Sequence, residues 1–311
     1  MSVGRRTSIE LRLLRYHLSR SQAYYLAKSG LERIYQEKIK DNNTFDSLNE
    51  SWNNTLKDDT TPEFKNFPLG NGKFTIQYSY YEAKDKEPKV FYGMQDEQSK
   101  FNINAILEDE TRYYERFKKF LKNILEDIKD ADEDTLTDTF LDWIDANAQE
   151  RLNGKEEYKD EGIIPKNKPL ERIEELLMIS GFTPEIVGIV SKYLTVYGDA
   201  TVNVNTAPKE VLVIAGFDEG EVKKILDYRN DAKDIKEISD TYWSSFDIIE
   251  DGKLCLPSGS ENRIDKARLG VHSNVFRAVS YSMVNKVSKK ITAVVEIKPN
   301  QPVKKLYEYE E

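Results

Sequence analysis

Two stretches of this chain align without a gap, and that pairing limits the possible folds more than any other feature. KEVLVIAGFDEGEVKKILDY, from Lys209, matches EELLMISGFTPEIVGIVSKY, from Glu174. Glu175, Leu177, Ile179, Gly181, Phe182, Val187 and Tyr193 recur as Glu210, Leu212, Ile214, Gly216, Phe217, Val222 and Tyr228. In the downstream copy Val202 and Val204 alternate with Asn203 and Asn205, which predicts a short extended entry. Thr206 is placed to cap a helix through its hydroxyl, Pro208 falls in the first turn where its missing N–H is harmless, and Gly216 supplies a left-handed stop. A second helix follows, with Val222, Ile225 and Leu226 on one face. The spacing predicts two tandem helix-hairpins. Two copies are too few for a solenoid, so they should pack together as a compact helical body.

Composition narrows the function classes. The chain has 311 residues, 39% of them hydrophobic, with 18 Tyr and 13 Phe, which is too aromatic for disorder and leaves room for more than one core. A formal net charge of −9 argues against a general binder of nucleic acid or anionic membrane. Cys255 is the only cysteine, so no intrachain disulfide forms, and having only His17 and His272 argues against a histidine zinc site. No apolar run approaches the roughly 20 residues of a membrane helix.

Along the chain, Ala23, Ala27, Leu31 and Ile34 form an apolar stripe on one long helix from about Thr7 to Lys40. Asp41 to Gly72 reads as loop. Phe74, Ile76, Tyr78 and Tyr80 alternate with polar residues as one strand, Lys84 to Pro88 turns, and Val90 to Met94 and Phe101 to Asn104 are further short strands. Tyr113 to Ile128 and Leu136 to Ile144 mark two helices, the second opened by Asp132-Glu133-Asp134. After Asp240 strands return: Val275, Val279, Tyr281 and Met283 alternate on one face, as do Ile291, Ala293, Val295 and Ile297 after a turn near Asn285-Lys286. This layout predicts an α+β chain: a helix-and-sheet part in 1–106 and 241–311, and an all-helical domain inserted at 107–240.

Five stretches sharpen that expectation. SQAYYLAKSGLE (Ser21–Glu32), FYGMQDEQSKFNIN (Phe91–Asn104), FLDWIDAN (Phe140–Asn147), PLERIEELLMISGF (Pro169–Phe182) and TVNVNTAPKEVL (Thr201–Leu212) follow one another in an order that resembles the K-type minor pseudopilins of the type II secretion system. The resemblance implies a pilin-like fold: a long N-terminal helix on an antiparallel sheet, with tandem helix-hairpin, SAM-like units inserted between strands. It implies a non-enzymatic subunit at the tip of a periplasmic pseudopilus, with other minor pseudopilins as partners and an inner-membrane anchor. The family's leader and apolar first half of the helix are not in this sequence, so Met1-Ser2-Val3-Gly4 reads as a truncated or engineered start.

Two sets of residues are candidates for a site. Ala23, Ala27, Leu31 and Ile34 are the partner-binding candidates, by the helix-to-helix packing that fibres use. Asp142, Asp145, Asn147 and Glu157 are the metal candidates: an acid-rich, oxygen-only loop suits calcium, and some K-type relatives hold calcium in the inserted domain. The plain alternative is a solvated acidic loop. Asp142 and Asp145 are also paired carboxylates, but no His, Cys nucleophile or phosphate loop accompanies them, so catalysis is not expected. The alternatives for the whole chain are a helix-hairpin-helix DNA clamp and a minor pilin of a related fibre. Against DNA, the hairpin Gly216-Phe217-Asp218-Glu219-Gly220 carries two acids where a phosphate would sit.

Overall fold

The computed structural model describes the chain except residues 1–2, 42, 55–60, 82–87, 130, 157–164, 232, 240–247 and 261, together with the side chains of 3–6. The first element, α1 (Val3–Lys40), is a single helix. Short strands follow: β1 (Phe67–Leu69), β2 (Gly72–Ile76), β3 (Tyr78–Tyr80), β4 (Lys89–Phe91), β5 (Gln95–Asp96) and β6 (Phe101–Asn102). The helical part holds α2 (Glu110–Ile124), α3 (Glu133–Ile144) and α4 (Pro184–Val190), then β7 (Leu194–Thr195), β8 (Val202–Asn203), α5 (Lys209–Ala215) and α6 (Glu219–Asn230). The chain ends through β9 (Glu237–Ile238), β10 (Ile249–Glu250), β11 (Lys253–Leu254), β12 (Leu269–Gly270), β13 (Val275–Val284), β14 (Val287–Glu296) and β15 (Lys304–Glu310).

One antiparallel sheet carries α1. Its strands run in the order β1-β2-β13-β14-β15, with β5 also paired to β13. Thus β2, which ends at Ile76, is the direct neighbour of β13, which begins at Val275. Among the described residues between these strands, the strands other than β5 lie outside this sheet. The β13–β14 hairpin closes through Asn285 and Lys286, both at positive φ (47° and 71°), the type I′ geometry that matches strand twist.

The sheet and α1 meet through small residues. Ala23, Ala27, Leu31 and Ile34 are each 2% exposed or less. Below them β13 turns Phe276, Ala278, Ser280, Ser282 and Val284 inward, and β14 turns Ile291, Ala293 and Val295 inward. The hydropathy of β13 points the other way: Tyr281 and Met283 lie outward at 38% and 42% exposure. The buried face of β13 contains serines because α1 lies too close for large side chains. Ser282 meets its hydrogen-bonding need by donating to the Ala23 carbonyl at 2.6 Å, which offsets the cost of burying a hydroxyl. Gly30 marks the closest approach: a Cβ there would stand 2.8 Å from Phe74 Cδ2 and 2.8 Å from Ser280 Oγ.

A second core fills the helical part. Tyr113, Phe117, Phe120 and Leu121 of α2 pack with Leu136, Phe140 and Trp143 of α3 and with both hairpin copies. The acids at the helix starts act locally. Asp109 accepts from Arg112 N, Asp132 from Asp134 N, and Asp218 exchanges caps with Glu221.

Several local expectations need correction. The strand read through 74–80 is two strands: the chain bends at Gln77, whose N–H donates to the Val279 carbonyl at 3.1 Å, and β3 then pairs with β4 instead of the main sheet. Only Phe101–Asn102 is strand in the stretch 101–104, and a 3-10 turn begins at Ile103. The hairpin copies share their left-handed glycines, Gly181 at φ 88° and Gly216 at φ 113°. Their first halves differ, a 3-10 turn at Ile173–Met178 against an α-helix at Lys209–Ala215. Trp243 and most of the turn read at 84–88 lie outside the described residues.

A Gly30→Val variant is expected to lose about 1–3 kcal/mol of stability from overpacking at the α1–sheet contact. Urea unfolding followed by circular dichroism measures this, and an unchanged midpoint would show that Phe74 has room to yield.

Candidate functional site

The hub of the molecule is a buried polar cluster where four distant segments meet. Asp96, on β5, is 2% exposed. Its Oδ2 accepts from Thr206 Oγ1 (2.5 Å), Ser273 Oγ (2.7 Å) and Asn203 Nδ2 (3.0 Å), and its Oδ1 accepts from Gln98 N (2.7 Å). Asn203 Nδ2 also donates to the Asp46 carbonyl at 3.1 Å. Beside it, Asp46 Oδ2 accepts from Ser273 N at 2.7 Å and touches His272 Nδ1 at 2.5 Å, while its Oδ1 pairs with Lys38. The cluster therefore ties the end of α1, the β5 segment, the VNVNT segment and the entry to β13.

Thr206 was expected to cap α5. Instead its hydroxyl serves Asp96, and the helix begins at Lys209 after Pro208 with no side-chain cap. A buried carboxylate needs donors more than a helix with a half-exposed first turn does. Asn205 is also turned inward, with its amide closing a reciprocal pair with the Ile235 backbone at 2.7 and 2.8 Å. Asp46, Asp96, His272 and Ser273 went unselected in the sequence. The signal for two of these contacts was the alternation VNVNT, whose asparagines are as buried as its valines.

Burial raises the Asp96 carboxyl from 3.8 to about 6, against the hydroxyl donors that lower it. The adjacent Glu97 is held down at about 2: Arg277 and then Lys100 outweigh its burial. Asp46 is lowered and His272 raised, each chiefly through the hydrogen bond between them, with burial opposing both.

The partner-binding stripe lies elsewhere and faces inward. Ala23, Ala27, Leu31 and Ile34 are spent on the chain's own sheet, because small residues there allow α1 to approach β13. Most of the large apolar residues that α1 leaves exposed precede them, among them Ile9 (66% exposed), Leu13 (55%), Leu14 (68%) and Leu18 (57%), while Tyr25 and Ile39 are exposed further along. Among the described residues no helix is long and apolar enough to cross a membrane.

Of the metal candidates, Asp142 and Asp145 come together on the guanidinium of Arg151, at 2.7 Å and 2.5 Å. Arg151 reaches Glu110 as well, at 3.1 Å. Asn147 Oδ1 accepts from Gln149 N at 2.7 Å, a turn contact, and Glu157 lies outside the described residues. Glu156 adds a third carboxyl, raised by burial and then by Asp142 and Asp145. Among the described residues, a cation of this chain already holds two of the candidate carboxylates. The hairpin offered to DNA is likewise engaged internally. Arg263 donates to the Gly216 carbonyl at 2.6 Å and forks onto Glu221 at 2.6 and 2.7 Å.

Comparison with known proteins agrees with this architecture. Residues 99–199 match the family model described as type II secretion system, protein K. A chain from the crystal structure of the GspK-GspI-GspJ complex of enterotoxigenic Escherichia coli superposes with a TM-score of 0.67 at 16% identity, covering 96% of this chain and 99% of that one. No curated protein matches in a sequence search.

Two predictions follow from the charges. Asp96 has a higher pKa folded than unfolded, so the folded state retains a proton that the unfolded chain releases. Its contribution to stability therefore shrinks as pH rises from about 4 to 6, by on the order of 3 kcal/mol. Glu97, lowered from 4.5 to about 2, contributes stability that is lost only as pH falls through that lower range. In urea titrations between pH 4 and 7, Asp96→Asn should remove the first of these slopes, and a slope identical to wild type would refute the assignment. Separately, Arg151→Ala should cost about 3–5 kcal/mol by stranding the buried Asp142. Millimolar calcium should restore part of that loss in the variant, whereas wild-type melts with calcium and with chelator should coincide. A calcium-dependent rise of the wild-type midpoint would show that the metal displaces the guanidinium.

Proposed function

We propose that the chain is a member of the type II secretion system protein K family, whose model matches residues 99–199, and that it acts at the tip of a pseudopilus. In this reading it is a non-catalytic subunit that joins other minor pseudopilins and supports pseudopilus assembly and protein secretion across the outer membrane. Anchoring in the inner membrane, with the folded body facing the periplasm, belongs to the same proposal.

One observation carries the reading. The body of the protein covers α1 only from about Ser19 onward, and the preceding turns project with Ile9, Leu13, Leu14 and Leu18 exposed. A projecting helix with this many exposed leucines is unfavourable in water and favourable against a neighbouring helix. The structurally similar chain comes from a GspK-GspI-GspJ complex, and partners of the I and J kind are the ones we assign to this helix. The family is generally non-catalytic, and the clustered carboxylates found here are bound to arginines, hydroxyls and amides of the fold.

The test is co-purification of this chain with its I- and J-type partners. Leu14→Glu and Leu18→Glu should reduce complex recovery about tenfold or more, the equivalent of about 1.4 kcal/mol. The melting temperature of the isolated chain should not change, since both positions lie outside its cores. Full recovery of the complex with both substitutions would sink the assignment of this surface.

A further inference from the structure

The face of the sheet opposite α1 carries a cleft at one end. There the 3-10 turn before Met178 and the end of α4 overhang β13, enclosing a cleft of about 430 Å³. Its floor is outward-facing β13, with Arg277 and Tyr281 on either side of Val279. Thr195 to Tyr197 close one end, and Lys192 and Lys290 stand on opposite walls.

The charge of this cleft is opposite to that of the chain. Among the described lining residues four are basic, Lys100, Lys192, Arg277 and Lys290, and one, Glu174, is acidic. The two on the floor share a single carboxylate: Glu97 Oε1 takes both Arg277 Nε and Lys100 Nζ (3.2 Å), while its Oε2 accepts from Thr195 Oγ1 at 2.6 Å. The two terminal nitrogens of Arg277 donate to no described residue, although the side chain is only 23% exposed. Lys100, at 6% exposure, has one acceptor for three protons. Burial lowers its pKa and the neighbouring Arg277 lowers it further, with Glu97 opposing. On the wall, Lys192 lies over the Tyr81 ring at 4.5 Å and pairs with no described carboxylate. Lys290 is held by Glu311 at 2.9 Å.

We propose that this cleft is a docking site for an extended acidic segment of a partner protein, with one carboxylate seated on the free fork of Arg277 between Tyr197 and Tyr281. A guanidinium with two open N–H groups matches a carboxylate in a way a lone ammonium does not. The flanking tyrosines supply stiff amphipathic walls of the kind that peptide contacts use. Nucleic acid fits poorly, because its phosphate spacing would bring further charges onto Glu174 and Glu311 at the rim. With a net charge of −9 the rest of the surface repels an acidic peptide, so binding should be confined to this place. The inference stands apart from the role of α1, since the cleft lies on the other face of the sheet.

The experiment uses the whole chain and a fluorescein-labelled dodecapeptide of alternating Gly and Glu, with Gly-Gln and Gly-Lys peptides as controls. Anisotropy should show saturable binding of the Gly-Glu peptide alone. Amide shifts in a TROSY spectrum should gather at 192–197 and 277–281, with the Arg277 Nε signal moving. Arg277→Lys keeps a cation for Glu97 but loses the fork, and should weaken binding about tenfold. Lys192→Glu, on the wall and clear of the buried pair, should weaken it too without altering the melt. Equal binding of Gly-Glu and Gly-Gln, shifts elsewhere on the surface, or complete displacement by inorganic phosphate at matched ionic strength would each overturn the proposal. The last of these would mark a small-anion site.

Discussion

One carboxylate, that of Asp96, holds together separate segments of the chain. Asp96 is buried and charged at neutral pH, so it is costly unless every lone pair is answered. The answer comes from Thr206, Ser273, Asn203 and the backbone of Gln98, drawn from three parts of the chain. Because each donor is itself buried, none can turn to water if the contact opens. The cluster thus fixes where the helical part leaves the sheet and where it returns. Its cost is local, and its effect is to specify a single arrangement of two cores that hydrophobic packing alone would hold less strictly.

The same logic recurs at the margins of the helical part. Arg151 gathers Asp142, Asp145 and Glu110, and Arg263 gathers Glu221 and the Gly216 carbonyl. Both guanidiniums occupy places that a ligand-centred reading would give to an ion or a phosphate. An acidic domain with few external cations compensates its buried carboxylates from within, and arginine suits this because one fork serves several oxygens. The resulting loops are held by the chain's own charges.

The helix α1 divides the molecule's surface by function. Its second half is spent inward, on serines and alanines that allow backbone to approach backbone. Its first half, Ile9 to Leu18, has no cover from the body. The outward face of β13, with Tyr281 and Arg277, forms the floor of a cleft on the opposite side of the sheet. The two surfaces differ in character, the first rich in exposed leucines and the second aromatic and cationic.

Much of this was legible in the residues. The long helix, the paired hairpins with Gly181 and Gly216 at positive φ, the turn at Asn285-Lys286 and the inward set Ile291, Ala293 and Val295 follow from local periodicity and from the backbone freedom of Gly and Asn. The family resemblance also came from local stretches of sequence. What the sequence could not decide were the contacts between distant segments. Hydropathy assigns Tyr281 and Met283 to the core and Ser280 and Ser282 to solvent, and only the closeness of α1 reverses this. Likewise Thr206 reads as a cap until Asp96, more than a hundred positions earlier, is brought against it. Asp142 and Asp145 read as metal candidates, and the sequence does not show that Arg151 folds back onto both. Local pattern sets which elements form, because propensity and periodicity act over a few residues. Tertiary structure decides which polar groups answer one another, because a buried charge takes its partner from whatever the fold places within about 3 Å.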